Sequence, residues 1–156
     1  MKADSDSAHV TFPPPFVYLG FLLIGLAVDR LLPWSLALPV LTRWAIGVPL
    51  IAAGLLLLLA ASGLFRQAGT DVKPWKATSA VVDKGVYAWT RNPMYLGMAL
   101  LYAGLAIAFR SISALALLPL VIAIVRTQVI AREERYLEEK FGSTYLAYKA
   151  RVRRWL

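Results

Sequence analysis

The sequence predicts an all-α integral membrane protein with about four transmembrane helices. Its hydrophobic fraction is 59% and its mean hydropathy is +0.61, which is too apolar for an ordinary soluble domain. Four apolar segments have the length that crosses the hydrocarbon core of a bilayer. The basic residues gather in two segments that four spans would place on one side of the membrane. With 156 residues, the chain is long enough for one domain.

The first two predicted spans occupy residues 14–65, after a polar N-terminal segment at residues 1–13. One span runs from about Pro14 to Leu32, and the other from about Trp44 to Phe65. The second span carries no charged residue. Because a buried helix of a soluble protein rarely stays apolar on every face for so long, this span indicates insertion into a membrane.

The remaining residues, 66–156, hold a polar connecting segment, two further spans and a basic tail. The third span runs from about Pro93 to Phe109 and the fourth from about Ile112 to Ala131, so their short link predicts a tight antiparallel helical hairpin. Small residues at i, i+4 spacing would let these two helices approach closely, although such residues are also simply common in membrane helices. They are Ala99 with Ala103, and Gly104 with Ala108.

The distribution of basic residues predicts the orientation. The connecting segment and the tail are both basic, whereas the opposite loops hold only Arg30, Arg43 and Arg110. We therefore expect an integral protein of a bacterial inner membrane with both termini in the cytoplasm. The N-terminal residues lack the basic start and small-residue cleavage site of a signal peptide. The basic residues of the two segments are Arg66, Lys73, Lys76, Lys84 and Arg91, then Arg132, Arg135, Lys140, Lys149, Arg151, Arg153 and Arg154.

Composition also limits the kinds of catalytic and binding site that the chain can form. The chain has no cysteine and a single histidine, His9, so it offers no thiolate site, no histidine cluster and no expected metal. The net charge is +8, but the basic residues lie beside apolar segments. This arrangement favours anionic lipid headgroups over nucleic acid.

The start of the third span is one place where polar groups converge. Asn92 is a plausible N-cap and Pro93 suits the first helical turn, so the free N–H groups there could bind an anion beside Arg91. Gly85, a little upstream, can take a turn with positive φ. These residues fit equally a ligand site or a helix cap with an interfacial arginine on lipid phosphate.

The tail is the second such place. Glu133 and Glu134 follow the fourth span, and adjacent helix positions point about 100° apart, so we expect at most one of them to face a pocket. Either could bind a ribose or an amino group, or the pair could be a solvated turn. Tyr145 and Tyr148 share a helical face, which predicts a C-terminal amphipathic cytoplasmic helix. Arg126 lies about one turn from the end of the fourth span and could extend to the interface.

Together these segments resemble the isoprenylcysteine carboxyl methyltransferase family, to which phospholipid methyltransferases are related. Residues 91–97 read R-N-P-M-Y-L-G and look like the family motif R-H-P-x-Y-x-G. The pattern of Glu133-Glu134-x-x-Leu137, Phe141-Gly142-x-x-Tyr145-x-x-Tyr148 and Val152-x-Arg154 looks like its C-terminal signature. The resemblance covers about residues 65–156.

The resemblance implies methyl transfer from S-adenosylmethionine to a lipophilic acceptor that enters from the bilayer. The acceptor could be a carboxylate, an amine or a thiol. The donor would be bound by Glu133 and Glu134, with Tyr145 and Tyr148 in a helix that folds over as a lid. Arg154, Arg126 and Glu134 are the candidate catalytic residues, the arginines orienting an anionic acceptor. The other implied donor-binding residues are Gly85, Val86, Tyr87, Arg91, Asn92, Tyr95 and Gly97.

One position departs from the motif, because Asn92 replaces the histidine of the family. An amide does not titrate, so this position can serve as a neutral donor or through its backbone but cannot serve as a base. The departure keeps open a non-enzymatic membrane module that binds anionic lipid or a partner protein. A reductase that uses a nicotinamide cofactor is a third, weaker interpretation.

Overall fold

The computed structural model describes residues 12–32, 34–70 and 78–156, and the regular structure within these ranges is entirely helical. The predicted residues His9, Lys73 and Lys76, with most of the N-terminal segment, lie outside the described residues. The helices are α1 (Pro14–Leu31), α2 (Val40–Gln67), α3 (Pro93–Ala108), α4 (Ile112–Val125), α5 (Ala131–Phe141) and α6 (Ser143–Arg151).

Three helices are long and apolar enough to cross a membrane: α1, α2 and the continuous helix Ile112–Phe141. The last of these contains α4, a π-helical turn at Arg126–Ile130, and α5. The fourth apolar helix, α3, has 16 residues and is therefore shorter than a typical span. The prediction of a helical fold is thus confirmed for the described residues, with three helices that are long and apolar enough to span a membrane and a shorter apolar helix.

Helix α2 is longer than predicted and packs against α3 through very small residues. Its buried positions are Gly47, Gly54 and Ala61, which follow a seven-residue spacing along one face. A Cβ atom on Gly54 would lie 2.6 Å from the carbonyl oxygen of Gly97, and one on Gly104 would lie 2.8 Å from that of Gly47. The two backbones therefore touch in an antiparallel pair, because glycine leaves no side chain between them.

We call the contact of Gly47 and Gly54 with Gly97 and Gly104 the glycine seam. It shows that the prediction about the small residues of α3 is wrong for Gly104. We expected Gly104 to serve the contact with the fourth span, but it lies against Gly47 of α2. The close approach on α4 is instead made by α1, where a Cβ on Gly25 would lie 2.5 Å from the Cα atom of Ala114. Helix α3 meets α4 through other groups, including the Tyr102 hydroxyl, which donates to the Ala114 carbonyl at 2.9 Å.

The link between α3 and α4 is clamped by an acidic residue of α1. Arg110 adopts positive φ (61°), and Ser111 then caps α4 by accepting a hydrogen bond from the Ala114 amide. The carboxylate of Asp29 accepts hydrogen bonds from the hydroxyls of Ser111 and Ser113, each at 2.5 Å. A carboxylate at a helix N-terminus is favourable because it meets free N–H groups and the positive end of the helix dipole.

The C-terminal region also differs from the prediction of one amphipathic helix. The chain stays helical beyond the predicted end of the fourth span, until Gly142 at φ 50° separates α5 from α6. After α6 the backbone becomes extended, and residues 152–156 form a strap. The buried face of α6, formed by Tyr145 and Tyr148, packs against Val81, Leu137 and Phe141 of the protein itself.

Candidate functional site

A cavity of about 110 Å³ lies at the end of the bundle where α2 ends and α3 begins. Because the tail returns to this end, five separate parts of the chain contribute to its wall. They are the end of α2, the segment at 78–82, the region from Tyr87 into α3, helix α5 and helix α6. The lining residues are Phe65, Thr78, Ala80, Val81, Val82, Tyr87, Arg91, Asn92, Pro93, Met94, Tyr95, Glu133, Glu134, Tyr136, Leu137, Tyr145 and Tyr148.

Glu134 lies at the charged centre of this cavity and is held by two arginines. The Nε and Nη2 atoms of Arg154 donate to its Oε1 and Oε2 atoms at 3.0 and 2.5 Å. The Nη2 atom of Arg91 lies 3.2 Å from Oε1. The hydrogen bonds to Glu134 raise the pKa of Arg154 further above its ordinary value, so this guanidinium stays charged.

Arg91 keeps unused hydrogen-bonding capacity inside the cavity wall. Its side chain is only 8% exposed, and its Nε and Nη1 atoms have no hydrogen-bond partner within the described part of the chain. A buried guanidinium with unpaired N–H groups is costly unless something binds them. A ligand anion such as a carboxylate could accept a charge-assisted hydrogen bond from either of them.

Glu133 faces the same cavity from the neighbouring position on α5. The hydroxyl of Tyr95 donates to its Oε1 atom at 2.6 Å, and the Tyr95 carbonyl accepts a hydrogen bond from Tyr18 of α1 at 3.2 Å. The expectation that only one of the two glutamates would face a pocket is therefore wrong. The cavity spans the angle between them, with Tyr95 on one side and the two arginines on the other.

The strap is attached to the start of α3 mainly by its backbone. The Arg153 carbonyl accepts from the Arg91 amide at 2.9 Å. The Arg154 carbonyl accepts from the Thr90 hydroxyl at 3.1 Å and from Nδ2 of Asn92 at 2.9 Å. Asn92 occupies the N-cap position of α3 as predicted, but its side chain makes no capping hydrogen bond. It anchors the strap instead.

Tyrosines form much of the remaining wall and lock α6 to the connecting segment. The Tyr148 hydroxyl donates to the Tyr87 carbonyl at 2.8 Å. The rings of Tyr145 and Tyr148 pack edge to face, with their centroids 5.9 Å apart. Burial raises the pKa of Tyr87, Tyr145 and Tyr148 above the ordinary tyrosine value. These hydroxyls therefore remain neutral hydrogen-bond donors at physiological pH.

Most of the predicted site residues lie together on the cavity, but five do not line it. Gly85 has φ 58° and would place a Cβ 2.9 Å from Leu64, and Gly97 lies in the glycine seam. Arg126 is exposed on the π-helical turn and is not among the lining residues. The other two are Val86 and Arg154, although Arg154 reaches Glu134.

Sequence reasoning missed the lining contribution of residues 78–82 and of Tyr136 and Leu137. Tyr136 and Leu137 were detectable in principle, since they lie one turn beyond Glu133 on the same helix. Segment 78–82 has no regular helix or strand, and its sequence carries no motif that predicts a wall.

An all-helical membrane protein with a charged, tyrosine-walled cavity at one end of its bundle is the class that the fold and the site define. The family model of phospholipid methyltransferases matches residues 42–144, more than half of the chain. The chain belongs to this family, which confirms the resemblance found in the sequence. It is also 42% identical over 69 residues to an uncharacterized protein of Haemophilus influenzae, covering 44% of this chain and 84% of that protein. No solved structure matches the chain.

Proposed function

We propose that the protein transfers a methyl group from S-adenosylmethionine to a lipophilic acceptor at the membrane surface. The family membership supports methyl transfer, and the cavity supplies a place for it. The observation that carries the proposal is Arg91, a buried cation with two unpaired N–H-bearing nitrogens in the wall of this cavity within the described chain. Such a group needs an anionic ligand, and the donor carries a carboxylate.

The cavity residues fit the donor in three further respects. The start of α3 adds its positive dipole end to the charge of Arg91. Glu133 offers an acceptor for an ammonium group, and the faces of Tyr87, Tyr145 and Tyr148 suit a positively charged sulfur by cation–π attraction. When bound, the donor supplies a methyl group on a positively charged sulfur that leaves readily. Gly85, Val86 and Gly97 would then act indirectly, by shaping the backbone around the site.

We propose an amine as the acceptor best matched to the residues present, with a carboxylate and a thiol as the alternatives. A carboxylate acceptor would meet the carboxylate of Glu133, whereas an ammonium group would be attracted to it. Tyr95 donates to Oε1 of Glu133, and the second oxygen can accept the proton that an ammonium group must lose before it attacks the methyl carbon. Positioning of the two reactants would supply the rest of the rate.

We further propose that the cavity faces the cytoplasm of a bacterial inner membrane and that α3 crosses the membrane as a fourth span. The described basic residues support this placement, because the strap, α6 and the start of α3 are joined at one end of the bundle. Arg30, Arg43 and Arg110 lie on the loops and helix ends of the opposite end. The positive-inside rule assigns the more basic end to the cytoplasm.

Calorimetric titration of the detergent-purified protein with S-adenosylhomocysteine tests donor binding. We expect saturable binding that the variant Arg91→Gln weakens by about 10- to 100-fold, the effect of losing a charge-assisted pair of hydrogen bonds. The matched control is Arg151→Gln, because Arg151 is 68% exposed and its ion pair among the described residues is with Asp83 at the surface. It should bind like the native protein.

Absence of binding in native protein that is shown to be folded would refute the proposal. It would then favour a membrane module that binds anionic lipid through its basic end. If the donor analogue binds, incubation with S-adenosylmethionine and vesicles that contain an amine lipid tests the acceptor. Methylation of a carboxylate or thiol substrate in place of the amine would overturn only the acceptor assignment.

A further inference from the structure

We infer that Arg154 is a positioning residue that keeps Arg91 available to the ligand, although Arg154 itself does not line the cavity. The inference rests on the proposed function and assigns to Arg154 a role other than direct contact with donor or acceptor. The two arginines share Glu134 unequally. Arg154 binds both carboxylate oxygens, whereas Arg91 approaches only Oε1, at 3.2 Å.

Arg91, Arg154 and Glu134 form a cluster whose charges do not cancel. Two guanidinium groups share one carboxylate, so one positive charge is left over. Because Arg154 is paired through two nitrogens and is 31% exposed to solvent, the leftover charge falls on Arg91, whose side chain is 8% exposed. In agreement with this, the Nε and Nη1 atoms of Arg91 have no hydrogen-bond partner within the described chain.

Loss of the Arg154 guanidinium would redistribute these bonds. Glu134 is 6% exposed and would be left with Arg91 as its only charged partner among the groups seen around it. A buried carboxylate is stabilised best by a bidentate pair with a guanidinium. Arg91 would therefore turn to bind both oxygens of Glu134 through Nη2 and one of its free nitrogens, which would no longer be available to a ligand.

The strap itself should survive this change, because it does not depend on the Arg154 side chain. Its carbonyl groups accept hydrogen bonds from Thr90, Arg91 and Asn92. Trp155 packs against the main hydrophobic core. Substitution of Arg154 therefore removes the guanidinium and leaves the wall of the cavity in place.

The test compares two ligands on the full-length protein in detergent. One is S-adenosylhomocysteine, and the other is its decarboxylated analogue, which keeps the nucleoside, the thioether and the amine. We expect Arg154→Gln to weaken S-adenosylhomocysteine by about 10- to 100-fold, as loss of the Arg91 contact would do. Affinity for the decarboxylated analogue should not change. The control Arg151→Gln, an exposed arginine at the end of α6, should alter neither affinity.

A double variant separates positioning from simple damage. In Glu134→Gln combined with Arg154→Gln, the neutral amide no longer captures Arg91, so affinity for S-adenosylhomocysteine should recover in part. Such recovery is a non-additive effect of coupled groups. If Arg154→Gln does not fold, Arg154→Lys replaces it, since lysine keeps the charge but makes only a point contact. We expect the lysine variant to lose part of the carboxylate-dependent affinity.

The outcomes distinguish the two proposals. If the native protein binds S-adenosylhomocysteine and Arg154→Gln leaves that affinity intact, the positioning role is refuted and the proposed function stands. Equal loss of both ligands, or further loss in the double variant, would show that Arg154 only maintains the fold. If the native protein binds neither ligand, the proposed function and the inference fail together.

Discussion

Replacement of Gly54 by alanine probes how closely α2 must approach α3. An added Cβ would lie 2.6 Å from the carbonyl oxygen of Gly97 and 2.7 Å from the amide nitrogen of Leu101. Ordinary contact begins at 3.4 Å, so the oxygen has to retreat by 3.4 − 2.6 = 0.8 Å. Both obstacles are backbone atoms of a helix. Neither can turn aside as a side chain would, so the helices themselves must separate.

The magnitude follows from a comparison with Gly63→Ala on the same helix. A Cβ on Gly63 meets nothing within 4 Å, so this control acquires the higher helix propensity of alanine without a clash. Both variants share that gain, and their difference isolates the packing cost. Overpacking of a tight contact costs about 1–3 kcal/mol, and we expect Gly54→Ala to be less stable than Gly63→Ala by this amount.

Thermal unfolding in detergent measures this difference, because the five tryptophans of the chain report unfolding by their intrinsic fluorescence. Phe65 near the end of α2 lines the cavity, so separation of α2 from α3 should also weaken binding of S-adenosylhomocysteine. If Gly54→Ala melts at the same temperature as Gly63→Ala, the close approach of the two backbones is wrong. Lower stability with unchanged ligand affinity would show that the seam and the cavity are uncoupled.

Two further substitutions test opposite ends of the molecule. Asp29→Asn removes the charge that accepts from Ser111 and Ser113, and should lower stability by about 1–2 kcal/mol in thermal unfolding while leaving ligand affinity intact. A change in affinity without a change in stability would contradict that assignment. Tyr148→Phe leaves the Tyr87 carbonyl without its hydroxyl partner, at a cost of about 1–3 kcal/mol. We expect α6 to exchange its amide hydrogens faster, and unchanged exchange would show that this bond does not hold the helix.

The spans could be predicted from the sequence because each depends on local hydropathy, but their partners could not. The seven-residue spacing of Gly47, Gly54 and Ala61 is visible in the chain, as is that of Gly97 and Gly104. No feature of the sequence around either row indicates that the two rows face one another. The short link after α3 suggested α4 as the partner of its small residues, and the structure shows that chain proximity misassigned Gly104.

Many residues of the cavity wall could be predicted from the sequence, but the hydrogen bonds between them could not. Eight of the predicted site residues line the cavity: Tyr87, Arg91, Asn92, Tyr95, Glu133, Glu134, Tyr145 and Tyr148. The bond between Arg154 and Glu134 joins residues 20 positions apart, across the turn at Gly142. It depends on how the strap returns to α3, and no periodicity in the sequence encodes that return.

The structure also gives a physical reason why asparagine suits the position where the family motif has histidine. The observed task of the Asn92 side chain is to donate one hydrogen bond, from Nδ2 to the Arg154 carbonyl at 2.9 Å. An imidazole N–H can make the same neutral bond, so this task needs no titrating group. Tyr95 donates a hydrogen bond to Glu133 on the opposite wall, and Glu133 is the group that the proposed function assigns to accept a proton. Under the proposed function, the anchoring of the strap and the acceptance of a proton would therefore fall to different residues.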